Sequence, residues 1–388
     1  MTVLDRLDAS LDLAEHEAMV LDQVRALARD RIAPKAEHYD RTGAFPHEHV
    51  AAINALCLNA MFVPEDYGGA PLSFTAYLAC VREIAKACAS TGIIWATNFH
   101  AMKPLIDRGS EAQKRRFLPR VAQGALGALA ITEPTAGSDA TGMRTRFTPE
   151  GDRIRIDGGK IFITNGDVAD LYLVFGKWSE LGDGKGAISA LMLEKGTPGF
   201  SAGRHEDKMG HRASATTALN FDGCRVPRDN LLGQPGEGLA ILLGALNKSR
   251  PSVAAHALGI ARAAFEDAVD YINQRQQSGR RIIEFQGNQF LLADLATDLA
   301  LCEAWLWHVA RLVERGDGDY GQEASMLKMR ASDLAMRITT EAVQLHGGYG
   351  YCKEYRVERL MRDAKLTQIW EGTNQIHRQL IGRSFMRK

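Results

Sequence analysis

From residue 11 to residue 123 the apolar positions recur at helical spacing, broken at Pro34, at Phe45-Pro46, between Pro64 and Pro71, and at Gly109. These breaks predict helices over residues 11–36, 47–60, 72–89, 91–108 and 110–123, with a turn at Pro64 to Gly69. From Ala125 the period changes to short β-like runs divided by turns: GALAIT, RTRFTPEGDRIRIDGGKIFITN, LYLVFGKW, AISALMLEK and ATTALNFDGCRV. Within them, Arg144 to Thr148 and Arg153 to Asp157 read as a hairpin turning at Glu150-Gly151-Asp152. Helical periodicity returns at Gly238. Its first run, 240–276, is longer than most globular helices and contains Pro251, which predicts one kinked helix or two in sequence. Runs 291–315, 320–346 and 354–367 follow. The expected fold is therefore α+β and multidomain. An N-terminal α-helical domain takes residues 1–124, a middle β-rich barrel or sandwich 125–236, and a C-terminal domain resembling a four-helix bundle 237–388.

Composition narrows the function. The 388 residues are 45% hydrophobic, enough for several cores, and Lys plus Arg balances Asp plus Glu at 47 each. Without blocks of like charge, neither nucleic acid nor an anionic membrane has electrostatic support as a partner. A small-molecule enzyme fits better. Six scattered cysteines without CxxC pairs argue against a metal site or disulfide framework and for a reducing compartment. The acidic, amphipathic N-terminus is unlike a signal peptide, and no uncharged stretch reaches transmembrane length, so a cytoplasmic protein is expected.

Near the C-terminus a helical run stops, exposes one carboxylate, and starts again: RDAKLTQIWEGTNQ. Gly372 supplies the break, Thr373 caps the next helix, and Glu371 is left at the junction beside an indole. Partial desolvation there raises a carboxyl's pKa and suits it to removing a weakly acidic C–H proton. Other motifs carry less. Gly316 to Gly321 matches GxGxxG literally but has no strand before it, so it is a helix–helix loop. His47-Glu48-His49 lacks metal-ligand spacing, and His100, His256 and His346 suit core or cap positions. Asn247-Lys248-Ser249 is a chance sequon, and Arg280-Arg281 is solvated surface. Two loops are more suggestive. ITEPTAGSD is a strand end followed by small residues whose N–H groups can approach a phosphate or flavin edge, and GKIFITNG is a strand closing in an Asn-Gly turn.

Together and in this order, ITEPTAGSDA, GGKIFITNG, KMGHRASATTALNFDGCRVP, NLLG, FQGNQFLLADLA, QLHGGYGY and VERLMRDAKLTQIWEGT resemble the segments of the acyl-CoA dehydrogenase family over almost the whole chain. The resemblance implies FAD between the middle and last domains, completed by a partner subunit. Leu129, Ile131, Thr132, Phe162 and Thr164 match flavin contacts, as do Thr373 and Gln375. Arg275, Gln277, Gln286, Gln344 and Gly348 match positions that hold the partner's pyrophosphate and adenosine. Ser138, Asn247, Arg250 and Gly372 match positions for the CoA thioester, although the family often has Asp where Asn247 stands. Trp95 and Asn98, within a segment resembling short-chain members, are expected to bound the acyl tail.

In the family the residue matching Glu371 removes the α-proton while a hydride leaves the β-carbon for flavin N5. The base's backbone N–H and a flavin ribityl hydroxyl stabilise the enolate oxygen. The resemblance further implies an electron-transferring flavoprotein as acceptor and a homotetramer built as a dimer of dimers. Four positions depart from the pattern: Thr135, Phe162, Ser278 and Trp370 stand where Gly, Trp, Phe and Tyr are usual. None removes a catalytic group, and Ser278 weakens apolar packing at the adenosine end. Ile94 replaces the arginine of glutaryl-CoA dehydrogenases, which disfavours a dicarboxylic substrate. The expected reaction is α,β-dehydrogenation of a short or compact acyl-CoA, branched and alicyclic chains included. Oxygenase or desulfinase chemistry on the same fold, a medium-chain substrate, and a non-catalytic flavoprotein or helical interaction module are the alternatives.

Overall fold

A computed structural model describes residues 3–9, 11–316 and 319–386. Helices α1 (Val3–Ala9), α2 (Glu15–Leu27), α3 (Ala36–Thr42), α4 (His47–Ala55), α5 (Phe74–Ala87), α6 (Ala89–Arg108) and α7 (Glu111–Ala122) come first. The expected helix over 11–36 is divided. Pro34 has no N–H to donate, and the chain passes it through a wide π-turn at Ala28–Ile32 and a 3-10 turn at Ala33–Lys35 before α3 begins. The expected 47–60 helix likewise ends early, because Cys57 turns left-handed at φ 53°. Ser73 caps α5 by accepting the Ala76 N–H at 3.1 Å, and Ser110 with Gln113 forms a capping box on α7.

The middle strands are β1 (Gly127–Ala130), β2 (Arg146–Glu150), β3 (Arg153–Thr164), β4 (Leu171–Trp178), β5 (Ile188–Glu194), β6 (Phe200–His205), β7 (Thr216–Pro227) and β8 (Leu231–Leu232). They form one mixed sheet in the order β6-β7-β3-β2-β4-β5-β8, with β1 parallel to β4. The β2–β3 hairpin is the one expected, pairing Arg146 with Asp157 and Glu150 with Arg153. Strand β4 is buried on both faces. Leu171, Leu173 and Phe175 pack with Met102, Leu105 and Phe117 of the helical domain, while Tyr172, Val174 and Trp178 join a second cluster with Ile154, Ile156 and Phe221.

The last part holds α8 (Gly238–Gln274), a short hairpin of β9 (Gln276–Gln277) and β10 (Arg280–Arg281), then α9 (Gln286–Arg315), α10 (Gly321–His346), α11 (Val357–Thr367) and α12 (Asn374–Ser384). Of the two forms expected around Pro251, the chain takes the single helix, running unbroken through the proline. Gly316 caps the end of α9 and Gly321 opens α10, with no strand before them, while Asp317 and Gly318 of the same motif fall outside the described residues. The largest core joins α2, α5, α6, α8, α9, α10 and α11, so the first and last helical parts share one interior. Gly259 makes that closeness possible, since a Cβ there would sit 2.3 Å from the Arg82 carbonyl oxygen. Among the described residues no helix is long and apolar enough to cross a membrane.

Candidate active site

Helix α11 ends at Thr367, and the next turn closes with the Asn374 N–H donating to the Gln368 carbonyl at 3.0 Å. Between them Glu371 and Gly372 are both left-handed, at φ 51° and 96°. For glutamate this backbone is strained, and such strain persists only where the surroundings enforce it. Thr373 caps α12 as expected, accepting the Ile376 N–H at 3.3 Å. The half-buried Glu371 carboxylate accepts a hydrogen bond from Ser249 Oγ at 2.8 Å, which ties it to α8. One residue on, Arg250 is buried and donates to Asn247 Oδ1 at 3.1 Å and Ser325 Oγ at 3.2 Å, while its Nε has no partner. Burial draws its pKa down against the attraction of Glu371. Asn247 also lines a cavity of about 430 Å³ with Pro104, Ile241, Gly244 and Tyr320, at the mouth between α6, α8 and α10.

A second set of residues lies on the sheet. Glu133 anchors its loop by accepting the N–H groups of Arg144 at 2.6 Å and Thr145 at 3.0 Å and a bond from Lys160 Nζ at 2.7 Å. Lys160 is buried too and also holds the Ile131 carbonyl at 2.9 Å. The Ile161 N–H donates to the Thr132 carbonyl at 2.9 Å, so Leu129, Ile131 and Thr132 lie along the strand that carries Phe162 and Thr164. At a register shift between Lys160 and Ile163, Phe162 adopts φ 58° and is 62% exposed. A large aromatic ring held outward by strained backbone is the surface on which a planar cofactor would lie. Ser138 and Thr135 are exposed in the preceding loop.

The third set faces away. Arg275, Gln277, Gln286, Gln344 and Gly348 are all exposed, and the Arg275 guanidinium stacks 5.5 Å from the Tyr349 ring. Ser278 and Gly279 form the β9–β10 turn with φ 52° and 78°, and both are exposed. Gln375 is exposed beside the capping Thr373. Asn98 and Trp95 are both buried. The Asn98 carboxamide accepts from the Gly127 N–H at 2.8 Å and donates to Asn59 at 3.1 Å, joining α6 to β1. Trp95, only 1% exposed, packs 5.4 Å from the Tyr77 ring, whose hydroxyl bonds Ser252 at 3.1 Å.

Models of the acyl-CoA dehydrogenase N-terminal, middle and C-terminal domains match residues 14–125, 128–224 and 236–386. The chain belongs to the acyl-CoA dehydrogenase family. It is 44% identical over 375 residues to an acyl-CoA dehydrogenase of Bacillus subtilis, covering 96% of this chain and 98% of that one. It is 39% identical to the short-chain specific acyl-CoA dehydrogenase of Clostridium acetobutylicum (97% and 99% covered). With the cyclohex-1-ene-1-carbonyl-CoA dehydrogenase of Syntrophus aciditrophicus it shares 40% identity (99% and 93%). Butyryl-CoA dehydrogenase from Megasphaera elsdenii superposes with a TM-score of 0.94 at 38% identity, over 97% of this chain and all of that one. Members of the family are FAD-dependent oxidoreductases, and a related glutaryl-CoA dehydrogenase from Mycobacterium smegmatis has been solved with FADH2. The exposed Phe162 and the polar set around Arg275 fit that cofactor.

Several residues of this site escaped the sequence reading. Ser249, the last residue of the sequon, carries no local signal for its bond to Glu371 122 positions away. Lys328 had a signal: it falls on the buried stripe of α10 with Ala324, Leu327, Ala331 and Ala335, where a lysine is out of place. His211 had none, while His256, expected in a core or cap position, is buried and hydrogen-bonded ring to ring with it at 2.9 Å behind Trp370.

Proposed function

We propose that this acyl-CoA dehydrogenase oxidises a short or compact acyl-CoA to the 2-enoyl-CoA, with Glu371 taking the α-proton. The observation that carries this reading is the Glu371 carboxylate, presented by left-handed backbone at a helix junction and steered by Ser249. A carboxylate fixed in this way meets the geometric demand on a general base, and bound FAD supplies the hydride acceptor. The Glu371 N–H and the Gly372 turn serve the thioester carbonyl. Arg250, Asn247 and Ser138 bind the CoA portion, a role supported by the cavity beside Asn247 and by the unpartnered Arg250 Nε.

Compactness follows from α8. Ser252 lies one helical turn beyond Ser249, roughly 4.5 Å along the axis, and there Tyr77 and Trp95 close the way. Relatives acting on short-chain and cyclohexene-carbonyl thioesters support the same size class. The exposed residues around Arg275 complete a partner subunit's FAD in a homotetramer. An electron-transferring flavoprotein takes the electrons, and support comes from a chain solved with work on that flavoprotein of Acidaminococcus fermentans, 41% identical with a TM-score of 0.94. Six unpaired cysteines support a reducing compartment, the cytoplasm. Anaerobic flavin bleaching by a panel of straight, branched and alicyclic acyl-CoA thioesters tests the proposal. Fast bleaching by butyryl- or cyclic acyl-CoA is expected, and preference for a long-chain thioester would overturn it.

A further inference from the structure

Lys328 sits on the buried face of α10 and is fully buried. A buried ammonium ordinarily pairs with a carboxylate, because leaving water is otherwise too costly. Among the described residues none is in ion-pair contact with it. Its Nζ donates instead to the Gly372 carbonyl at 2.7 Å and to Asn374 Oδ1 at 3.1 Å. Asn374 is itself fixed, donating to Asp333 Oδ1 at 2.7 Å and Ser332 Oγ at 2.9 Å. On the other side of the loop, a Cβ added to Gly372 would come 3.2 Å from His377 Nε2. The turn that carries Glu371 is thus clamped at the carbonyl following it and floored by an imidazole.

We propose that Lys328 is a positioning residue for the base: its ammonium holds the Gly372 carbonyl, fixes Glu371 in its left-handed conformation, and supplies the positive field in which the carboxylate works. The proposal rests on Glu371 being the base. The groups facing Lys328 are Glu371 and Asp333, which favour its charge, and Arg250, which opposes it. Burial is the largest influence and draws the Lys328 pKa down to about 7. Facing Glu371 are Ser249, Lys328, Arg250 and His100, the last two buried, with the histidine kept neutral by burial. His377 is held neutral as well, pushed down to about 3 by burial and by the two cations. A cation beside a carboxylate favours its ionised form, so removing Lys328 weakens the field in which the carboxylate works.

The test is stopped-flow flavin reduction of the holoenzyme by butyryl-CoA across pH, in Lys328→Met, Lys328→Gln and Glu371→Gln. Lys328→Met should keep its flavin and its KM, lose about tenfold or more in kcat, and shift the acid limb of the rate profile to higher pH. Lys328→Gln keeps a donor for the Gly372 carbonyl, so it should recover part of kcat with the limb still displaced. An unmoved limb in Lys328→Gln overturns the proposal, and so does a loss of rate that only tracks flavin content or melting temperature. If Lys328→Met does not fold, the glutamine variant decides alone. Wild-type bleaching by Glu371→Gln would instead remove the base assignment, and the proposal with it. No bleaching by Glu371→Gln together with an unmoved limb removes the lysine's role only.

Discussion

Replacing Trp95 with alanine should cost stability and admit longer acyl chains, two effects that the structure ties to one volume. The indole is 1% exposed and packs on Tyr77 within an aromatic group that includes Phe99 and Phe74. Truncating a fully buried tryptophan costs about 3–5 kcal/mol, so a clear fall in melting temperature is expected. The same cavity becomes available to substrate. Each methylene removed from water gains about 0.8 kcal/mol, roughly fourfold in kcat/KM. Three further methylenes set a ceiling of about 2.4 kcal/mol, and imperfect fit leaves a gain of about tenfold or more. The assay is kcat/KM for butyryl- through decanoyl-CoA in wild type and Trp95→Ala, alongside melting curves. A melting temperature that falls while the chain-length profile stays put would place Trp95 in the core alone and remove the main support for a short substrate. Trp95→Leu, which keeps more of the packing, serves if the alanine variant is too unstable.

Glu371→Gln should retain flavin and lose substrate bleaching, since the isosteric amide keeps the Ser249 bond but accepts no proton; bleaching at the wild-type rate would refute the assignment. Arg82 is fully buried and pairs with Asp8 at 2.7 Å, Glu83 at 2.8 Å and Glu303 at 3.5 Å. Arg82→Met should therefore destabilise by about 3–5 kcal/mol, and adding Glu303→Gln should return part of it; a melting temperature within error of wild type would refute this. Burial raises Asp363 from 3.8 to about 7. A folded pKa above the unfolded one means the native state binds more protons between these values, so stability falls as pH rises from about 4 to 7. Asp363→Asn keeps an acceptor for the His211 N–H and should gain stability most above pH 7 and least below pH 4; a gain independent of pH would refute it.

Much of this molecule is legible in its sequence because its elements obey local rules. Thr373 as a cap, the β2–β3 hairpin and the change of period at Ala125 each depend on residues within a few positions of one another. What could not be read depends on contacts between distant segments. The left-handed backbone of Glu371 is enforced from α8 by Ser249 and from α10 by Lys328, more than 40 residues away, and no short-range propensity favours it. The rotation of α6 was equally hidden. Period alone cannot say which face of an apolar helix meets α8, and Gly92 decides it: a Cβ there would come 3.1 Å from His256 Nδ1. Pro34 misled for a different reason, since a π-turn let the chain carry helical structure past it on to Thr42.

Trp370, one of the departures from the family pattern, ties these observations together. Its indole stands edge-on to His211 at 5.0 Å and His256 at 5.5 Å, and the two imidazoles stack on each other. His211 comes from the loop after β6 at a strained φ of 48°, its N–H bound to the Asp363 carboxyl on α11, whereas His256 comes from α8. Burial keeps both rings neutral, with His256 held near 3, so one can donate the hydrogen that the other accepts. The residue before Glu371 is therefore held by the sheet domain and the helical domain together. A larger ring at position 370 is accommodated because two flat neutral rings stand behind it, and the docking of the sheet on the helices is part of what places Glu371.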